Sequence, residues 1–449
     1  MTSSKVLTFE KAQIIFGFLL TYSYLCNTMR ILIVNTSEKT GGAAVAANRL
    51  MEALNNNGVK AKMLVSEKIS DKLTVSSFGS PWKNQWNFLW ERFVIWVCNG
   101  FSRKNLFKVS IANTGVDITK TQEFKEADVI HLHWINQGFL SIKSIRKILD
   151  SGKPMVWTMH DMWPLTGICH HAYTCDNYQT ACHECPFLRR PGKHDLSYRV
   201  FNKKLNLLSS QRIIYTVVSN WLGEKARHSM LTRNQDIEIV PNAIALQHFH
   251  LLGRSEARQT LGITEPHVIV FGAARIDDDI KGLHYLTQAL QLLLNSERIE
   301  KDSVRLLLFG GIKDDRVLDT IPIPYTYMGY IKDVKQLSEV YSASNCVVSS
   351  SLYETFGQTL IEAMACGCLP VAFAGSGQQD IISHQQNGYL ADYLSAESLA
   401  DGIIWTMTTN IPAKVLRSSV QQRYSEDVIA KRYIEVYEKA MRPKEYRRS

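Results

Sequence analysis

Glu354 and Glu362 frame a glycine-bearing junction, Ser351-Leu-Tyr-Glu354-Thr-Phe356-Gly357-Gln-Thr-Leu-Ile-Glu362, set between the apolar runs Cys346 to Val348 and Pro370 to Phe373. Carboxylates accept hydrogen bonds from sugar hydroxyls. Free backbone N–H groups at a helix start attract phosphate. A sugar joined to a nucleoside diphosphate needs both. Glu354 lies before a helix expected to open near Gly357, and Glu362 about two turns into it, so the two acids cannot do the same job. The first suits a sugar and the second a ribose. Phe356 and Gly357 sit at the junction, where a glycine lets the backbone approach a ligand closely.

Two cations fit the same chemistry. Arg275 ends the run Gly272-Ala-Ala-Arg275, and Lys281-Gly282 precedes the next helical pattern. Cations at a strand end beside a helix start suit a diphosphate. Taken alone they read as solvated surface charges; beside Glu354 and Glu362 they read as parts of one site. In the first half of the chain, Thr40-Gly41-Gly42 follows an apolar strand and opens a helix. It is not the G-x-G-x-x-G fingerprint, and it suits a donor phosphate or an acceptor equally. His160-Asp161 ends another strand, where a histidine beside an acid reads as functional. His131 and His133 end a third and read as structural or functional alike.

Cys169, Cys175, Cys182 and Cys185 form a cluster whose last pair has metal-knuckle spacing. Four thiolates make a closed tetrahedral zinc set, with His170, His171 and His183 as alternative ligands. In an oxidising compartment the same four would be disulfides, and free thiols are the remaining reading. Cys26, Cys98, Cys346, Cys366 and Cys368 are scattered and read as packing thiols.

These residues need a scaffold. The 449 residues, 45% hydrophobic and 21% charged, suit a globular enzyme of two or three domains. Short apolar runs alternate with helical patterns twice over, which predicts two doubly wound parallel-sheet domains. The first alternation runs from Ile31 to Val34 through Ala61 to Val65, Asp128 to His133, Met155 to Thr158 and Ile213 to Val218. The second runs from His267 to Gly272 through Val304 to Gly310, Tyr325 to Tyr330, Cys346 to Val348 and Pro370 to Phe373. The boundaries read as an extension at 1–28, an acceptor-side domain at 29–240, a nucleotide-sugar domain at 241–415 and a closing helix with a basic tail at 416–449. Two such domains would face a cleft at the carboxyl ends of their strands, the edge where open α/β sheets bind ligands.

Residues 14–20 are apolar but too few to span a membrane. Met29 therefore reads as the natural start, or residues 1–28 as a loose or membrane-contacting extension. The net charge of +9 suits nucleic acid, anionic membrane or phosphorylated ligands. No reading helix, RNP-type strand or repeated finger appears, which argues against nucleic acid. The basic stretches Arg189-Arg190 to Lys193, Lys203-Lys204, and Lys143 with Arg146-Lys147 read as solvated faces or as a surface for anionic lipid.

On Glu354-x7-Glu362 with Phe356-Gly357, Arg275 with Lys281-Gly282, Pro241-Asn242 and His160-Asp161, the chain from Met29 to Met441 resembles retaining glycosyltransferases of family 4. The resemblance implies the GT-B architecture of two Rossmann-like domains. The run Trp157 to Gly167 followed by the four cysteines resembles a bacterial subgroup acting in exopolysaccharide, capsule or O-antigen assembly, colanic-acid type included. By this resemblance Arg275 and Lys281 hold the donor diphosphate, Glu354 the sugar with the Phe356 and Gly357 amides, and Glu362 the ribose. His160 contacts the sugar from the other domain, and the closing helix packs back on the first domain. It implies no metal at the reaction centre, a UDP- or GDP-sugar donor and a glycan or lipid-linked oligosaccharide acceptor. It also implies a cytoplasmic place, peripheral to the membrane. A nucleotide-sugar epimerase of the same fold and a zinc-bearing, basic nucleic-acid-binding protein are the alternatives.

Overall fold

The computed structural model describes residues 29–209 and 211–443. The extension at 1–28 and the basic tail at 444–449 lie outside the described residues. The first parallel sheet is built from β1 (Arg30–Ser37), β2 (Lys60–Glu67), β3 (Val75–Ser77), β4 (Val129–Leu132), β5 (Met155–Met159), β6 (Ile214–Val217) and β7 (Asp236–Ile239), in the order β3-β2-β1-β4-β5-β6-β7. The second is built from β8 (His267–Arg275), β9 (Val304–Gly311), β10 (Tyr325–Tyr327), β11 (Cys346–Ser349), β12 (Leu369–Phe373) and β13 (Tyr389–Ala391), in the order β10-β9-β8-β11-β12-β13.

Each order starts from the strand that opens its alternation, runs outward on one side, then returns and runs outward on the other. That is the doubly wound pattern, and its switch points fall between β1 and β4 and between β8 and β11. The register at the second switch point pairs Cys346 with Ile269 and Val347 with Val270. The strands are near-continuous apolar runs because sheets of this kind are buried on both faces: β4, β5, β11 and β12 are buried throughout.

By contacts the chain divides into two compact units. One holds the residues through Thr158, Cys182–Tyr215 and the chain from Ala430 on; the other holds Met159–Ala181 and Thr216–Ile429. In the first unit, His131 is fully buried on β4. Its Nε2 meets Thr158 Oγ1 at 2.7 Å and its Nδ1 meets Tyr437 Oη at 2.7 Å, while Thr158 Oγ1 also meets Tyr433 Oη at 3.0 Å. The closing helix Glu426–Met441 is thereby tied to the strand ends of this unit through a satisfied polar network, and His131 is a structural histidine. In the second unit, helices Leu283–Asn295 and Ala396–Thr408 pack on one another, as do Gln358–Ala365 and Ala413–Tyr424. Among the described residues no helix is long and apolar enough to cross a membrane.

Candidate active site at the second switch point

The second unit brings Lys281, Glu354, Phe356 and Gly357 onto two loops that are sewn together. Lys281 ends a short 3-10 turn, and Gly282 follows at φ 67°. A Cβ at Gly282 would stand 2.0 Å from the Ser350 carbonyl oxygen, so only glycine fits there. Ser350 Oγ donates to the Gly282 carbonyl at 2.8 Å, and Leu352 N donates to the Ile280 carbonyl at 2.8 Å. The result places Lys281 Nζ 2.8 Å from Glu354 Oε2, with both side chains about a quarter exposed. Burial works against both charges, but each more than offsets it for the other. The carboxyl is held below the usual glutamate range and the ammonium above the usual lysine range.

The loop beyond Glu354 is held from a second side. Gly377 N donates to the Glu354 carbonyl at 2.8 Å, and a Cβ at Gly377 would meet the Thr355 carbonyl at 2.0 Å. Thr355 Oγ1 donates to the His160 carbonyl at 2.9 Å. Phe356 is buried edge-on against Tyr424. Gly357 caps helix Gln358–Ala365 from the left-handed region, φ 112°, with no side-chain cap. No side chain competes with a ligand for the start of that helix, whose positive dipole end suits an anion. The helix starts at Gln358, so Glu362 is its fifth residue, one turn in rather than about two, and it is largely buried.

Arg275 ends β8 after an irregularity in its pairing with β9. It is half exposed and lies between two acids that the sequence reading passed over. Its Nε is 3.4 Å from Asp277 Oδ1 and its Nη2 is 3.1 Å from Asp278 Oδ2. The guanidinium is therefore aimed but not used up.

His160 follows β5. Burial pushes its imidazole down to about 4 despite the neighbouring Asp161. Asp161 is held down at about 2: burial opposes its charge, but His170 Nδ1 at 2.6 Å and the donated Trp163 N–H at 2.8 Å outweigh it. His170 is thus a partner for Asp161. His171, which the sequence suggested only as a spare metal ligand, joins the site. Its ring lies 4.8 Å from that of Tyr353. It feels the charges of Asp161, Glu354 and Lys281, and burial lowers its pKa to about 4. At neutral pH both imidazoles are uncharged, each with one donor and one acceptor nitrogen. The adjacency His170-His171 after a strand-end acid was the available signal.

Gly41 and Gly42 belong to the other unit. Gly41 caps helix Gly42–Asn56 at φ 89° without a side-chain bond, and a Cβ at either glycine would meet nothing within 4 Å. The four cysteines are divided, with Cys169 and Cys175 in the second unit and Cys182 and Cys185 in the first. Among the described residues no three His, Cys, Asp or Glu side chains gather as a metal-holding group.

The chain is similar to known proteins in sequence and in fold. The family described as Glycosyltransferase Family 4 matches residues 40–248, and the one described as Glycosyl transferases group 1 matches residues 253–423. An uncharacterized glycosyltransferase of Methanocaldococcus jannaschii is 24% identical over 380 residues, covering 77% of this chain and 93% of that protein. A putative colanic acid biosynthesis glycosyl transferase of Escherichia coli is 22% identical over 266 residues, covering 57% of this chain and 62% of that protein. The crystal structure of Anabaena HepE in complex with UDP and glucose superposes with a TM-score of 0.58 at 17% identity, covering 92% of this chain and all of that one. The architecture is GT-B. The protein is a glycosyltransferase.

Proposed function

We propose that the chain is a retaining glycosyltransferase that moves a sugar from a UDP- or GDP-sugar to a lipid-linked glycan in bacterial surface-polysaccharide synthesis, working on the cytoplasmic side of a membrane. The observation that carries the donor half is the Lys281–Glu354 pair beside the uncapped helix at Gly357. A cation and the positive end of a helix suit a diphosphate, and a carboxylate held ionised suits sugar hydroxyls. Support for the nucleotide comes from HepE, crystallised with UDP and with UDP-glucose. Support for the polysaccharide role comes from the printed name of the E. coli relative.

In this reading Arg275 and Lys281 offset the charge that develops as the bond from the anomeric carbon to the diphosphate oxygen breaks. The acceptor oxygen bonds to the anomeric carbon on the same face, and its proton passes to the departing phosphate. Glu354 and the neutral His160 hold sugar hydroxyls, the Phe356 and Gly357 amides hold the phosphate junction, and Glu362 holds the ribose. The test is a thermal-shift screen against UDP-, GDP- and ADP-sugars, followed by proton NMR of the product's anomeric signal. Stabilisation by a UDP- or GDP-sugar and a product of unchanged anomeric configuration are expected. No stabilisation by any donor, or an inverted product, overturns the reading.

A further inference from the structure

Helix Pro81–Cys98 in the first unit is built inside out. Its buried residues are Asn87, Glu91, Arg92 and Ile95. Its outer face carries Trp82 at 83% exposure, Trp86 at 65%, Trp90 at 43% and Phe93 at 49%, with Leu89 among them. A surface helix ordinarily turns its apolar stripe inward.

The reversal is fixed by the polar side. Glu91 Oε1 accepts from Ser110 Oγ at 2.6 Å and from the Ile111 and Ala112 amides, each at 2.8 Å, and Glu91 Oε2 pairs with Arg92 at 2.9 Å. Arg92 donates in turn to the Leu106 and Val109 carbonyls. Rolling the helix to hide its tryptophans would take Glu91 and Arg92 off these partners and leave the Ser110 hydroxyl and the Ile111 and Ala112 amides unbonded, at a cost for each. The outer rings also form a ladder. Trp86 and Trp90 lie 6.5 Å apart, Trp90 and Phe93 5.8 Å, Phe93 and Trp96 6.0 Å, and Trp96 and Phe101 4.8 Å.

The far end of this face is basic. Arg189 N donates to Asn99 Oδ1 at 2.6 Å and Arg189 Nη1 to the Gly100 carbonyl at 3.0 Å, which brings Arg189 and Arg190 to the helix's C-terminal end. Arg103, Lys104 and Lys108 follow on the exposed loop. No acid occurs from Asn99 to Lys108, and the helix's single acid, Glu91, is buried.

We propose that this face is a docking surface for a lipid bilayer with anionic headgroups. Tryptophan and phenylalanine rings settle at the boundary between headgroup and acyl chain. Each nearby Lys or Arg strengthens the attraction to an anionic surface. A second copy of the chain fits less well: pairing parallel would bring the Arg189, Arg190 and Lys104 charges of two protomers together, and pairing antiparallel would leave them facing a helix whose single acid is buried. The proposal rests on this surface alone and holds whichever sugar and acceptor the enzyme uses.

The test is sedimentation of the full chain with phosphatidylcholine vesicles, with and without roughly a third phosphatidylglycerol. Binding to the anionic vesicles is expected, with neutral vesicles at least about tenfold weaker and added salt weakening the anionic binding. The doublet Trp86→Ser with Trp90→Ser should abolish sedimentation, and Arg189→Glu with Arg190→Glu should weaken it at least about tenfold. All variants should stay folded, with a wild-type circular dichroism spectrum, since the buried side of the helix is untouched and Arg189 keeps its backbone bond to Asn99. Wild-type protein that ignores anionic vesicles, or a tryptophan doublet that still sediments, overturns the proposal. A wild-type dimer that the doublet turns into a monomer, with no vesicle binding by either, assigns the face to self-association instead.

Discussion

Lys281 Nζ lies 2.8 Å from Glu354 Oε2, although the two residues are 73 positions apart in the chain. The pair joins the two strands that flank the switch point of the second sheet, since Lys281 follows β8 and Glu354 follows β11. It sets the charge of the site before any ligand arrives.

Removing either partner leaves the other partly buried and alone. Lys281→Met should lower the stability of this unit by roughly 1–3 kcal/mol, between the values for exposed and fully buried pairs. Glu354→Gln should cost less, because glutamine still accepts from the ammonium. Chemical denaturation monitored by circular dichroism measures both. A Glu354→Gln variant less stable than Lys281→Met would show that the carboxylate, not the ammonium, is the group the fold depends on.

The glycines separate folding from binding. Gly282→Ala places a Cβ against the Ser350 carbonyl at 2.0 Å and Gly377→Ala against the Thr355 carbonyl at 2.0 Å. Both should destabilise by about 2–4 kcal/mol. Gly42→Ala meets nothing within 4 Å and should leave stability within about 0.5 kcal/mol. If transfer nevertheless falls tenfold or more in Gly42→Ala, ligand occupies that space; unchanged kinetics would remove Gly42 from the site.

Much of this was legible beforehand, for physical reasons. The apolar runs of β4, β5, β11 and β12 stand out because they are buried on both faces, and the strand-end residues His160, after β5, and Arg275, at the end of β8, follow from such runs. The strands β7 and β13 were missed because Asp236–Ile239 and Tyr389–Ala391 are short and largely half buried. Helix Pro81–Cys98 was missed because its stripe of aromatic residues faces outward, so periodicity gave no inward face to read. Asp277 and Asp278 lie two and three residues past Arg275, within reach of spacing, and were passed over; His171 was read only as a spare metal ligand because its place beside Tyr353 comes from long-range closure of loops.

Arg275 is half exposed and held by two acids. Arg275→Ala should therefore leave stability within about 0.5 kcal/mol. It should lower kcat/KM by about 10- to 150-fold, the loss of one charge-assisted contact of roughly 1.5–3 kcal/mol. Steady-state kinetics across donor concentrations measures it. An unaltered kcat/KM would return Arg275 to the status of a solvated surface charge.

The histidines fix an acid limb. His160 and His171 have folded pKa values of about 4, below the ordinary 6.5. Above pH 6.5 both folded and unfolded states are neutral and stability is full. As pH falls from 6.5 toward 4, the unfolded chain takes up protons that the folded chain refuses, so stability is lost. Asp161, depressed to about 2, adds stability above its ordinary 3.8 that is lost only as pH falls from there toward 2. Unfolding temperature should thus drop between pH 6.5 and 4, and His171→Phe should flatten part of that drop. A flat profile through this window would show that both imidazoles titrate normally.

In the proposed function Lys281 and its neighbours bind the donor's diphosphate. Isothermal titration of the full chain and of Lys281→Ala with UDP and with GDP tests it most directly. The expected result is micromolar binding of one nucleotide by the wild-type protein, weakened about 10- to 150-fold by the substitution, as loss of roughly 1.5–3 kcal/mol implies. Wild-type protein that binds neither nucleotide, or a Lys281→Ala variant that binds as tightly as wild type, would contradict it.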